Sequence, residues 1–185
     1  MTLEARFQYS GKKWWKVGES AVSLREEAPL VPRVRELVFR GIAQLNLDVK
    51  GRLAVPARHR DALLERCAGH LVITADADRC LLVYPLPDWE LIQQKLEGLS
   101  NLDPRVRELQ RRLIGFAVDV EMDGAGRVLI SPALREYAQL DKAVVLVGQG
   151  KKFELWNKDN WEQMISGAGG FGAAGLPAEL EGFSL

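Results

Sequence analysis

The sequence predicts an α+β fold built from two diverged copies of one small unit, and two likenesses in a shared order predict it. L-N-L-D-V-K-G-R-L-A-V-P-A-R-H-R at 45–60 aligns with V-E-M-D-G-A-G-R-V-L-I-S-P-A-L-R at 120–135. This pairs Asp48 with Asp123, Gly51 with Gly126 and Arg52 with Arg127, and Pro56 with Pro132 after one inserted residue. Downstream, L-L-V-Y-P-L-P-D-W at 81–89 answers F-E-L-W-N-K-D-N-W at 153–161. Each holds an aromatic (Tyr84, Trp156) followed five residues later by a tryptophan (Trp89, Trp161). Two sequence-distant features recurring in one order point to duplication.

Each copy opens on an alternating strand, marked by Leu45 and Leu47 or by Val120 and Met122, that runs into D-x-x-G-R. Gly51 and Gly126 can take the positive φ that a tight bend requires. A second strand follows at Leu53–Val55 and Val128–Ile130. Proline then opens a short helix, Pro56 to about Arg66 and Pro132 to about Ala138, proline being favoured at the first helical position. Next comes a β-hairpin, L-V-I-T-A-D-A-D-R-C-L-L-V-Y or A-V-V-L-V-G-Q-G-K-K-F-E-L-W, turning at D-A-D-R or G-Q-G-K-K. A helix beginning near Asp88 or Asp159 ends the copy, with the aspartate as its expected N-cap. Between the copies, residues 103–116 carry a Pro start signal and Val106, Leu109 and Leu113 at helical spacing. A single unit of this kind leaves sheet edges and an apolar face uncovered, and two units can cover each other by interleaving.

The expected organisation is an amino-terminal extension over 1–37, a first repeat over 38–90, connecting helices over 91–118, a second repeat over 119–165 and a flexible tail over 166–185. The extension lacks periodicity. The tail contains G-A-G-G-F-G-A-A-G, which buries too little apolar surface to offset its ordering entropy.

Composition narrows the function classes. With 47% hydrophobic and 27% charged residues, the 185-residue chain has the make-up of a soluble globular protein. No apolar run approaches the ~20 residues of a membrane span, and the first ten residues do not form a signal peptide. Cys67 and Cys80 have no metal or redox spacing and read as reduced packing residues. His70, near Cys67, lacks the companions a metal site needs. With two histidines, no phosphate loop and no H-E-x-x-H, the sequence offers no catalytic constellation, metal or cofactor. G-A-G-G-F-G at 167–172 does not lie between a strand and a helix of a βαβ unit. The formal net charge is zero, so any nucleic-acid binding must come from a local basic cluster.

F-R-G at 39–41, L-D-x-K-G-R-L-x-V-P, Y-P-L-P-x-W-E, M-D-G-A-G-R-V-L-I-x-P-x-L-R, L-V-G-Q and F-E-L-W follow one another in order. This ordered set resembles the MraZ family of bacterial transcriptional regulators, of the swapped-hairpin, AbrB-like superfamily, over nearly all of 38–165. The resemblance implies tandem SpoVT-AbrB units in a pseudo-twofold, β-barrel-like core with short helices. It also implies a cytoplasmic, nucleoid-associated protein encoded at the head of a division and cell-wall gene cluster. Such a protein binds short G-rich direct repeats in double-stranded DNA near its own promoter and assembles into ring-like homo-oligomers.

The family's D-x-x-x-R motif maps onto Asp48 with Arg52 and Asp123 with Arg127. An arginine fork can reach guanine O6 and N7 or clamp a phosphate. A neighbouring aspartate can hold that fork in one rotamer before binding. The same pair can also be a plain intra-turn salt bridge, which contributes only ~0–1 kcal/mol when exposed. Lys50, Arg58, His59 and Arg60 surround the first turn; the second has Arg135 but only Gly124 and Ala125 opposite Val49 and Lys50. The first copy is thus expected to make the stronger phosphate contact, with a solvated helix face as the alternative for Arg58 and Arg60. Arg105, Arg107, Arg111 and Arg112 form a basic patch that reads as a solvated or subunit-facing surface, with direct DNA contact as the alternative. Tyr84, Trp89, Trp156 and Trp161 read as core or interface aromatics. A second function class is an oligomeric scaffold or antitoxin-like interaction module on the same fold, distinguished from a DNA binder by weak salt dependence.

The family pattern begins at V-F-R-G, and valine is encoded by GTN, which includes the start codon GTG. Trp14-Trp15 must be TGG-TGG, and Val17-Gly18 permits GTGGG, a G-rich run. Residues 1–37 are therefore expected to be promoter DNA read as protein, with a genuine extension as the alternative.

Overall fold

Both repeats begin on strands that pair outside their own repeat. The computed structural model describes residues 38–167, and the extension over 1–37 and the tail from 168 lie outside them. The elements run β1 (Phe39–Asn46), β2 (Arg52–Ala54), α1 (Ala57–Cys67), β3 (His70–Ala75), β4 (Leu81–Pro85), α2 (Leu86–Glu97), α3 (Pro104–Leu113), β5 (Val118–Glu121), β6 (Arg127–Leu129), α4 (Pro132–Tyr137), β7 (Ala143–Gly150), β8 (Lys152–Asn157) and α5 (Lys158–Gly167). Ser166 and Gly167, expected in the tail, thus close α5.

Six strands form an antiparallel sheet in the order β1-β7-β8-β4-β3-β5, and β2 with β6 forms a separate two-stranded ribbon. Among the described residues the pairings within a repeat are the hairpins β3–β4 and β7–β8 and, at the first turn, a lone antiparallel bridge between Leu47 and Leu53. All others cross between repeats. β1 lies on β7 from Phe39 opposite Gly150 to Asn46 opposite Ala143. β5 lies on β3, β4 on β8 and β2 on β6.

The sheet is open, which corrects the expectation of a barrel-like core. Closure would pair β1 with β5, but among the described residues each has a single strand neighbour and the two stand at opposite ends of the strand order. The apolar side chains are instead covered by helices and the ribbon. One face buries Leu71, Ile73, Leu81, Leu146 and Leu155 with Leu63 of α1, Leu134 of α4 and Leu53 and Val128 of the ribbon. The other buries Cys80, Leu82, Val145, Val147 and Trp156 against Leu113 and Trp161. Strands covered on both sides read as continuous apolar runs, as L-V-I-T-A and V-V-L-V do. Trp89 and Trp156 are buried, each beside its expected companion: Tyr84 at 5.8 Å and Trp161 at 5.8 Å between ring centroids. Cys67 and Cys80 are free and buried.

Helix starts are where local expectation and structure part. Pro56 stands at the N-cap position of α1, not at its first helical position, and makes no side-chain cap, whereas α4 is capped by Ser131, whose hydroxyl accepts from Leu134 N–H. Pro56 therefore corresponds to Ser131 rather than Pro132, and the repeats align through this point without an insertion. Neither Asp88 nor Asp159 is an N-cap. α2 starts after Pro85, and Asp88 in its first turn is engaged by Arg66 of α1. At α5 the Asn157 side chain accepts from Asp159 N–H at 2.8 Å and Asn160 N–H at 3.2 Å. The expected start of α3 holds, Asp103 accepting from Arg105 N–H. Among the described residues no helix is long and apolar enough to cross a membrane, and no group of His, Cys, Asp or Glu is placed to hold a metal ion.

Candidate nucleic-acid interface

Each D-x-x-G-R segment closes on itself through one aspartate. Asp48 Oδ1 accepts from Lys50 and Arg52 N–H, both at 2.9 Å, while Oδ2 accepts from Arg52 Nε at 2.7 Å. Asp123 repeats the pattern, Oδ1 taking Ala125 and Arg127 N–H at 2.9 Å and Oδ2 taking Arg127 Nε at 2.9 Å. A carboxylate accepting backbone N–H groups organises the turn, and the same carboxylate fixes its arginine. Backbone bonds complete each turn: Gly51 N–H donates to Asp48 C=O at 2.8 Å and Gly126 N–H to Asp123 C=O at 2.7 Å. The glycines stand at φ +77° and +74°, where an L side chain is strained.

These contacts also set the charge state. For Asp48, the Arg52 backbone N–H outweighs the opposing pull of desolvation and, with the other donors, holds the carboxyl below its usual 3.8. For Asp123 the Arg127 side chain is the largest cause, followed by its backbone N–H. Arg127 is raised above its ordinary value, chiefly by Asp123 and in small part by Asp48 of the other turn. Both aspartates are therefore carboxylates at neutral pH.

The ribbon brings the two arginines together. Arg52 pairs opposite Leu129, and Ala54 opposite Arg127, with Leu53 and Val128 between. Alternation puts Leu53 and Val128 into the core and leaves Arg52, Ala54, Arg127 and Leu129 on the outer face. Arg52 and Arg127 are then diagonal neighbours, a relation that spaces residues by about 7–8 Å. Ala54 and the half-exposed Leu129 fill the other two corners.

The remaining basic residues divide. Lys50 stands exposed beside the tip of the first turn, next to fully exposed Val49. Arg135 of the second repeat lies against Gly51 of the first turn, and Arg60 of the first repeat against Gly126 of the second. Arg58 is drawn toward β1, its guanidinium beside Gly41 and its Nε donating to His59 Nε2 at 3.0 Å. Three of the four arginines on or near α3 are engaged locally: Arg105 with Asp103, Arg112 with Glu108, and Arg107 with the Asn101 and Leu102 carbonyls.

Sequence reasoning did not anticipate the crossing of Arg60 and Arg135 to opposite turns. The signal was present, because the chain offset relating Asp48 to Asp123 also relates Arg60 to Arg135. The supposed insertion before Pro132 hid it.

Comparison with known proteins agrees with the duplication. The family model described as "MraZ protein, putative antitoxin-like" matches twice, over residues 38–112 and 113–170. A protein of Thiobacillus denitrificans is 57% identical over 148 residues, 80% of this chain and 100% of the relative. One of Nitrosospira multiformis is also 57% identical over 148 residues, and one of Pseudomonas aeruginosa 55% over 151, with the same coverage. All three carry the name transcriptional regulator MraZ. With both repeats matched and such relatives covered end to end, the chain belongs to the MraZ family.

Proposed function

We propose that the chain is a transcriptional regulator that reads double-stranded DNA with the outer face of the β2–β6 ribbon. The observation that carries this reading is the pair of pre-oriented arginines, Arg52 and Arg127, side by side on a two-stranded ribbon. The major groove of B-DNA admits such a ribbon, and arginine paired bidentately to guanine is its commonest specific contact. Asp48 and Asp123 hold both forks before DNA arrives, which lowers the ordering cost of binding. Lys50 and Arg58 supply positive charge around the readers, and Lys50 makes the first turn the stronger phosphate contact. The relatives' name supports the same reading.

The target is a set of G-rich direct repeats near the chain's own promoter in a division and cell-wall gene cluster. Tandem repeats favour several linked copies of the ribbon through effective concentration, so the working form is a ring-like homo-oligomer acting in the cytoplasm on the nucleoid. The cross-repeat pairings of β1, β2 and β5 support a swapped-hairpin description of the two units.

A footprint of the purified protein on the duplex upstream of its own gene tests the reading, together with affinity measured from low to moderate salt. Protection of G-rich repeats and a steep loss of affinity with salt are expected. No protection, or salt-independent binding, overturns it in favour of an interaction module. A monomeric mass by light scattering at micromolar concentration overturns the ring.

A further inference from the structure

Each turn is covered by an arginine from the other repeat. A Cβ built on Gly51 would stand 2.8 Å from both Nε and Cζ of Arg135. A Cβ on Gly126 would stand 2.6 Å from both Cδ and Cζ of Arg60. Each guanidinium stem therefore lies flat on a glycine Cα, in space that any side chain would take. Glycine is required at these places both for its positive φ and for the seat it leaves.

The backbone ties the same groups together. Val55 N–H donates to Gly126 C=O at 2.9 Å, and Val55 C=O accepts from Arg60 Nε at 2.7 Å. One residue of the first repeat, Val55, thus links the turn of the second to the arginine that covers it. In the mirror position Ile130 N–H donates to Gly51 C=O at 3.0 Å. Arg135 Nε is buried there without a hydrogen-bond partner among the described residues. A donor shut away from water and unpaired is unfavourable, and a buried Nε is poorly placed to meet a phosphate. Its packing against the Gly51 turn is what the position supplies.

We propose that Arg60 and Arg135 are positioning residues, each locking the opposite repeat's turn, so that Arg52 and Arg127 are presented as one rigid pair. The proposal rests on the reading of the ribbon as the DNA-binding face and assigns these two arginines a role through the turns. The rival role, direct contact with phosphate, predicts different behaviour in three measurements.

The test is anisotropy titration of the full chain against the duplex upstream of its own gene, at several salt concentrations. The variants are Arg60→Ala, Arg60→Met, Arg135→Ala and Arg135→Met, alone and combined with Arg52→Ala or Arg127→Ala. Arg135→Ala alone is expected to weaken binding ~10-fold, but less than ~2-fold further once Arg52 is already alanine, since residues acting through one contact are not additive. Beside Arg127→Ala it keeps its full effect, and Arg60 shows the mirror pattern, coupled to Arg127 and independent of Arg52. Methionine, which fills the seat without charge and keeps the fold, recovers most of the loss, and the salt slope stays at its native value.

Additive losses in every pairing overturn the proposal. So does methionine no better than alanine with a salt slope lower by about 0.9 per arginine removed, the mark of a lost phosphate contact. If Arg52→Ala and Arg127→Ala themselves leave binding unchanged, the DNA-reading assignment fails instead, and the two failures are distinguishable.

Discussion

Arg66 on α1 grips Asp88 on α2 with two prongs, Nε to Oδ2 at 2.8 Å and the terminal amine to Oδ1 at 2.6 Å. The aspartate is nearly buried, 7% exposed, while the arginine remains about a quarter exposed. This pair joins the first helix of the unit to the last, through an aspartate that lies inside the first turn of α2. Removing one partner strands the other, and a stranded buried charge is costly. Arg66→Ala is expected to destabilise the fold by about 2 kcal/mol, a value reduced for the arginine's exposure, leaving Asp88 without its cation. A urea midpoint within error of the native chain would show that the pair contributes nothing.

Arg52→Ala and Arg127→Ala should each weaken binding to the upstream duplex by a base contact, ~1–3 kcal/mol, with the thermal midpoint little changed. Both side chains are about a third exposed and bonded mainly within their own turns, so the core does not depend on them. Retained affinity in both single variants and the double variant would remove the ribbon from the DNA-binding face.

Gly51→Ala and Gly126→Ala combine a positive φ with the loss of the seats occupied by Arg135 and Arg60. A loss of about 1–2 kcal/mol in stability is expected for each, larger than for the neighbouring and unobstructed Gly124→Ala. Equal midpoints for Gly124→Ala and Gly126→Ala, measured side by side, would contradict the close approach.

His59 sits edge-on to Phe39 and Phe153, with ring centroids at 5.6 and 5.0 Å. Burial, and then the charge of Arg58, hold its pKa below the ordinary 6.5. The neutral ring can accept from Arg58 Nε; the protonated ring cannot. As pH falls below about 6.5 the unfolded chain binds a proton that the native chain refuses, so stability falls with it. At pH 7.5 that loss is absent. Chemical denaturation at pH 7.5 and 5.5 should show the decrease in the native chain and a smaller one in His59→Leu. An identical pH response in the two proteins would rule His59 out as its source.

What the sequence determined by itself is local. D-x-x-G-R carries its own carboxylate acceptor, amide donors and left-handed glycine within five residues, so both turns and their aspartate–arginine pairs were legible at Asp48, Arg52, Asp123 and Arg127. The Asp103-Pro104 start of α3 and the apolar runs of β3 and β7 were legible for the same reason, since near neighbours suffice to satisfy them. Tertiary structure decided everything that depends on which strand lies beside which. That β1 pairs with β7, that the sheet stays open at β1 and β5, and that Asp88 serves Arg66 rather than a helix end follow from long-range pairings. The same holds for Arg60 and Arg135. Their residue type and spacing read equally well as phosphate contacts on a solvated helix, and only the crossing of the repeats lays each on the other's glycine. Backbone hydrogen bonds within a turn are written in adjacent residues, whereas the side chain that fills a glycine's vacant space can come from anywhere the fold brings close.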